Sequence, residues 1–339
     1  MVKKFKLFQK PKERISAFLK RRPHRSFRRT RRRDYTRSLK LPGYFAFTKY
    51  VAKTIFAHWK TFLLLVLVSA ILTVIMVGIG SQDSLNTLTN TISTTSGDLF
   101  TSGWGKVGEA SLLFLSAVTG GLSQELTELQ QALTVILVLF TWLTSVWLLR
   151  NMLAGHKVKL RDGLYSAGSP ILATFIVAIV LLIQLLPFAL ALIGYSAAVS
   201  TGLLTGGVEA MLFWIAAGLL TVLSLYWITS TFFALIIVTL PGMYPFKAIK
   251  IAGDLVIGRR LRILSRLLWM AVGILLAWAI ILIPIIMLNS WVNGMWAAAN
   301  WVPVVPVAIL ILSTMTIIWS SSYIYLLYRK VVADDAEPA

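Results

Sequence analysis

Three short stretches set hydroxyls beside a tryptophan inside otherwise apolar runs. They are Trp142-Leu143-Thr144-Ser145, Trp227-Ile228-Thr229-Ser230 and Trp319-Ser320-Ser321-Ser322, and no other tryptophan is followed by the same pattern. The chemistry open to such residues in hydrocarbon is hydrogen bonding. Lipid offers no partners, so a Ser or Thr hydroxyl turns to a backbone carbonyl or to a neighbouring helix. At one depth on alternate helices, Thr144, Ser145, Thr229, Ser230, Ser321 and Ser322 would form a polar seam where helices pack closely, with Trp142, Trp227 and Trp319 beside it. The seam reads either as helix glue or as the wall of a polar cavity for a headgroup or solute.

Catalytic constellations are not legible. The chain has no cysteine, which removes thiolate nucleophiles, disulfides and common structural zinc sites. Its three histidines, His24, His58 and His156, show no metal spacing of the HExxH kind. His58 reads as an interfacial residue beside Trp59. Asp162 and Asp254 read as helix caps or partners of nearby bases. No paired carboxylates, nucleophile–base pair or phosphate-binding loop is evident, so neither an enzyme nor a bound cofactor is expected. The apolar runs also lack acidic, basic and His residues in their cores, which argues against a proton-coupled pump. Gln184, three residues before Pro187, reads as the group that satisfies carbonyls freed by the proline.

The strongest interaction signal is charge. Net charge is +20, and residues 1–60 hold 20 of the 33 Lys and Arg. Arg21, Arg22, Arg28, Arg29, Arg31, Arg32 and Arg33 concentrate in "KRRPHRSFRRTRRRDYTR", and Arg259, Arg260 and Arg262 form a second cluster. Each such residue near an anionic leaflet contributes roughly 1 kcal/mol of attraction. The same charge could meet RNA phosphates, on a ribosome for instance, or an acidic protein partner. Charge alone leaves all three open.

These residues need a scaffold, and composition supplies its class. The chain of 339 residues is 57% hydrophobic and 14% charged, too little polar surface for a soluble domain of that size. Six runs are long enough to span a bilayer, at about 61–80, 132–150, 170–195, 210–240, 267–288 and 304–328. The first apolar segment starts too late for a cleavable signal peptide. Residues 1–43 read as a basic arm, disordered when free. Residues 44–330 read as an all-α, six-span membrane domain, with 331–339 as a short tail. In the long outer loop 81–131, Leu85, Leu88 and Ile92 suggest a surface helix, and residues 110–118 are too short to span.

Every Lys and Arg except Lys106 falls on one side of this layout. The opposite connections carry Asp83, Asp98, Glu109, Glu125, Glu128 and Glu209. The positive-inside rule then puts both termini in the cytoplasm, at the plasma membrane. The spans form three hairpins, each preceded by a cytoplasmic interfacial segment: 44–60, 156–170 and 246–266. The tetrapeptides fall on the returning spans two, four and six. That recurrence suggests a threefold internal repeat, although twelve tryptophans also make chance matches easy.

Residues 244–269, "YPFKAIKIAGDLVIGRRLRILSRLLW", resemble a bacterial family. It is the six-span membrane domain found beside some glycerophosphodiester phosphodiesterases and in the related YciC-like group. The likeness rests on Pro245, the amphipathic Lys247 to Val256, Gly258-Arg259-Arg260 and Arg262-Ile263-Leu264. It implies six spans over about 44–328. With no hydrolase domain in the sequence, it implies no phosphodiesterase activity. Three functions follow as expectations: a non-enzymatic membrane protein organising or handling lipids, a permease-like transporter of a neutral or lipid-like solute, or a tether recruiting RNA or ribosomes.

Because the chain has no thiol, Lys157→Cys or Leu255→Cys creates a unique one. In intact cells, an impermeant maleimide added outside should leave either site unlabelled and react after permeabilisation. Labelling from outside alone would invert the layout.

Overall fold

The computed structural model describes residues 41–77, 127–295 and 304–336. Among these residues every regular element is helical. The arm arginines Arg21 to Arg33, the proposed outer-loop helix and residues 110–118 lie outside the described residues.

The α-helices run in order as α1 (Tyr44–Ala57), α2 (Trp59–Val77), α3 (Glu128–Leu153), α4 (Leu160–Ala167), α5 (Ile171–Ser200), α6 (Gly207–Ile237), α7 (Pro245–Val256), α8 (Arg260–Met295) and α9 (Val304–Ala336). Six of them, α2, α3, α5, α6, α8 and α9, are long and apolar enough to cross a membrane. The chain is a multi-pass, all-α membrane protein. The long helices overshoot the bilayer. At 36 residues, α8 is about 54 Å long against a hydrocarbon core of ~30 Å, so its ends stand out of the hydrocarbon or it tilts.

Each short helix precedes a long one and buries one stripe. In α1 the stripe is Phe47, Val51 and Thr54, in α4 it is Leu160, Gly163 and Ala167, and in α7 it is Ala248, Ala252 and Val256. Spacings of three and four put each stripe on a single face. Small residues let the backbones approach. A Cβ on Gly163 would sit 3.1 Å from Leu148 and 3.3 Å from the Thr144 methyl, so α4 lies tight against α3. Asp162 accepts from the Lys159 amide at 3.2 Å and caps α4.

The expected amphipathic segment 246–266 proves to be two elements. α7 stops at Val256, and Gly258 takes a left-handed φ of 79° that a side chain would strain. Residues 260–266 are instead the first turns of the span. The last span is likewise longer than its apolar run, because α9 continues past Tyr328 with Val331 fully buried.

Packing is uneven. α9 touches α1, α2, α3, α6 and α8, and α3 touches α2, α4, α5 and α9. The buried residues concentrate in Thr141–Leu149, Ile228–Val238 and Ser321–Leu327, where the short helices also gather. Three links hold this end together. Arg259 pairs with Asp334 at 3.0 Å, Arg150 bonds Thr239, and Arg266 donates to the Pro42 carbonyl. They draw the starts of α1 and α8 and the ends of α3, α6 and α9 to one basic end. The α5–α6 pair joins the rest chiefly there. Its remainder, including Leu182, Leu190, Leu212 and Leu219, is exposed.

The ion pair is the most concentrated interaction at this end, with side chains only 3% and 8% exposed. Removing one partner of a buried pair strands the other charge, at a cost of about 3–5 kcal/mol. Arg259→Ala and Asp334→Ala should each lower the unfolding free energy in mild detergent by that order, and the double variant should lose less than the sum.

Candidate functional site

Two of the three tetrapeptides meet. Ser145 on α3 and Ser321 on α9 are fully buried, with their hydroxyl oxygens 2.8 Å apart. Ser321 also lies 3.0 Å from the Ile318 carbonyl of its own helix. Thr144 donates to the Phe140 carbonyl at 2.8 Å and Ser322 to the Ile318 carbonyl at 2.6 Å. One turn before Ser145, Thr141 is 3.1 Å from Ser69 on α2. α3 therefore offers hydroxyls to two neighbours from adjacent turns. Trp142 stands beside this seam with its Nε1 buried and without a hydrogen-bond partner.

The third tetrapeptide does not join them. Thr229 donates to the Leu225 carbonyl at 2.6 Å and Ser230 to the Trp227 carbonyl at 3.0 Å, while Trp227 is exposed. The register explains this. Tyr226 meets Arg260, Phe233 meets Tyr328 and Thr239 meets Arg150, so this part of α6 passes the ends of α8, α9 and α3 in turn. Its hydroxyls therefore fall away from the Ser145–Ser321 contact.

The sequence reading missed the cross-helix partners. Ser224 donates to the Gln184 carbonyl at 2.7 Å and Thr231 to Gln184 Oε1 at 2.5 Å, which ties α6 to α5. Gln184 is thus a link between helices: its side-chain oxygen accepts from Thr231 and its backbone carbonyl from Ser224. Trp278 Nε1 donates to Thr316 at 2.9 Å, tying α8 to α9. Ser224 and Thr316 each lie three residues before a tetrapeptide tryptophan, a signal the sequence did carry.

The basic cluster divides by exposure. Arg259 is 4% exposed and faces Asp334. Arg260 lies over the Tyr226 ring at 3.7 Å and donates to its carbonyl at 2.9 Å. Arg262 is exposed. Arg266 is 7% exposed, with its guanidinium 4.0 Å from the Tyr44 ring centre. Around it, Tyr44 donates to Ser265 at 3.1 Å, Trp269 Nε1 donates to Thr48 at 3.1 Å, and Phe45 packs edge-on against Trp269 at 4.9 Å. This cluster fastens α1 across α8.

Two concavities adjoin these groups. A polar one of about 350 Å³ sits where α5 and α6 join α3, lined by Arg150, Ser166, Ser169, Thr239 and apolar neighbours. A larger one of about 600 Å³ runs beneath α1 between α8 and α9. Its walls are almost wholly apolar, and Gly273, Ala277, Ala308 and Ala52 keep it open. Trp319 lines this groove, but Ser145, Ser321 and Ser322 line neither concavity. Among the described residues no group of three His, Cys, Asp or Glu is placed to hold a metal.

The Ser145–Ser321 contact is measurable by a double-mutant cycle with alanine at each position. Its coupling should be near 0.6 kcal/mol and no more than about 1.7, the range for hydrogen bonds between membrane helices.

No family model, curated protein or solved structure matches the chain.

Proposed function

From that geometry alone, we propose that the chain is a non-enzymatic membrane protein that organises lipids by holding an acyl chain in the groove beneath α1. One observation carries this reading. A groove of about 600 Å³ with apolar walls lies open on a face of a membrane-spanning bundle. A dry apolar concavity loses the contacts its lining atoms would otherwise make, and in a bilayer the chains that restore them are at hand. Between Trp269 and Ile285 the α8 wall extends about 24 Å, more than half of a ~30 Å hydrocarbon core.

The small residues support the same reading. Gly273 and Ala277 are four apart on α8, a spacing that usually lets a second helix approach closely. Here a Cβ on Gly273 would have nothing within 4 Å. The small pair therefore borders space, and an acyl chain is narrow enough to use it. The same proposal places both termini and the three short helices at the cytoplasmic face of the plasma membrane, from the distribution of Lys and Arg. It treats short helix, outgoing span and returning span as one unit used three times. Residues 1–40 then add basic charge where anionic headgroups lie.

Gly273→Leu tests the groove directly. The side chain enters open space and gains intrinsic helix propensity of about 0.8 kcal/mol, so folding is preserved. Phospholipid co-purified in mild detergent should fall by on the order of one molecule per chain relative to the wild type. Undiminished lipid in a folded Gly273→Leu protein would refute the reading.

A further inference from the structure

The groove has a chemically distinct end. Its lining residues on α8, Trp269, Gly273, Ala277, Ile281 and Ile285, recur every four positions. Followed back toward the start of the helix, that stripe becomes polar: Arg266 is four residues before Met270, and Arg262 is seven before Trp269. On α1 the groove is lined by Thr48, Ala52, Ile55 and Phe56. Lys49 and Lys53 each follow a lining residue by one position and lie one turn apart on the adjoining face. Lys49, Lys53 and Arg262 are all exposed. No acid occurs between Asp34 and Asp83, and α8 has none in its first turn. The mouth of the groove is therefore cationic while its floor is apolar.

The Tyr323 side chain lines the groove at the same end, and the Arg266 guanidinium lies beside its hydroxyl. A buried cation thus backs the same end as the exposed ones. Apolar floor and cationic rim follow the order of acyl chain and anionic headgroup.

We propose that the groove selects an anionic glycerophospholipid, its headgroup held by Lys49, Lys53 and Arg262 and one acyl chain laid along Gly273. This rests on the lipid-holding reading above and adds a preference among headgroups. A neutral phospholipid offers the rim no net charge.

The full chain is reconstituted in nanodiscs of equimolar phosphatidylcholine and phosphatidylglycerol. It is then transferred to mild detergent, and the retained lipid is identified by mass. Phosphatidylglycerol should be enriched about fivefold or more, the factor expected from a single cation near an anionic headgroup. Lys49→Gln/Lys53→Gln/Arg262→Gln should bring the ratio to parity while total retained lipid stays the same. Lys157→Gln/Lys159→Gln on the α4 side should leave the enrichment intact. Parity in the wild type, enrichment that survives the triple variant, or equal loss in the α4-side control would each overturn the selectivity. If Gly273→Leu still removes the lipid in those cases, the groove reading stands and only the headgroup preference falls. If wild type and Gly273→Leu retain the same lipid, both fall. A disulfide-linked dimer of Ala277→Cys in the nanodisc, with no lipid retained, would assign the groove to a second copy and overturn the proposal.

Discussion

The bundle depends on the close approach of α3 and α9 where Ser145 and Ser321 touch. In hydrocarbon no hydrophobic gain draws helices together, because lipid tails are as apolar as leucine. What remains is dispersion between well-fitted surfaces and the few hydrogen bonds that span them. A serine pair serves both, since its side chains are short enough for the backbones to come near and polar enough to need one another. From this contact the other long helices take their places. α2 joins through Ser69 and Thr141, and α8 joins α9 through Trp278 and Thr316. α5 and α6 form their own pair through Gln184.

A second constraint shapes the basic end. Charged side chains avoid hydrocarbon, so the helices overshoot the bilayer and place their cations where water or carboxylates can meet them. The three short helices collect at this end, and so does most of the buried core. Arg259 and Arg266 are the exceptions to solvation: Arg266 meets the Pro42 carbonyl and the Tyr44 ring, and Arg259 turns inward to Asp334, seven residues beyond Leu327. That pairing explains why α9 outlasts its apolar run. It also gives the Gly258 turn a structural role, because the left-handed residue sets the direction from which Arg259 enters.

The groove arises from the same geometry. α1 is held over α8 by aromatic and hydrogen-bonded contacts around Arg266 and Trp269, which roofs the space between α8 and α9. Beneath that roof, small residues replace the large ones that would close the gap. The α5–α6 pair, attached mainly at one end, leaves much of its apolar surface to lipid. A rigid hydroxyl-pinned core and an open apolar face thus coexist in one chain.

Sequence alone determined the class, the six long helices and the three short ones, because length, apolar content and periodicity are local quantities. It also identified Ser145 and Ser321 as residues that must find partners, since a hydroxyl in hydrocarbon has few choices. It did not determine which partners. Thr229 carries the same local signal and bonds only its own helix, because the place of α6 is set by contacts far away in the chain. Gln184 looked like a companion to Pro187, and its link to α6 through Thr231 was not legible. The inward turn of Arg259 and the open space beside Gly273 were likewise invisible. Whether a cation finds a carboxylate, or a glycine finds a neighbour, depends on residues brought together only when the helices pack.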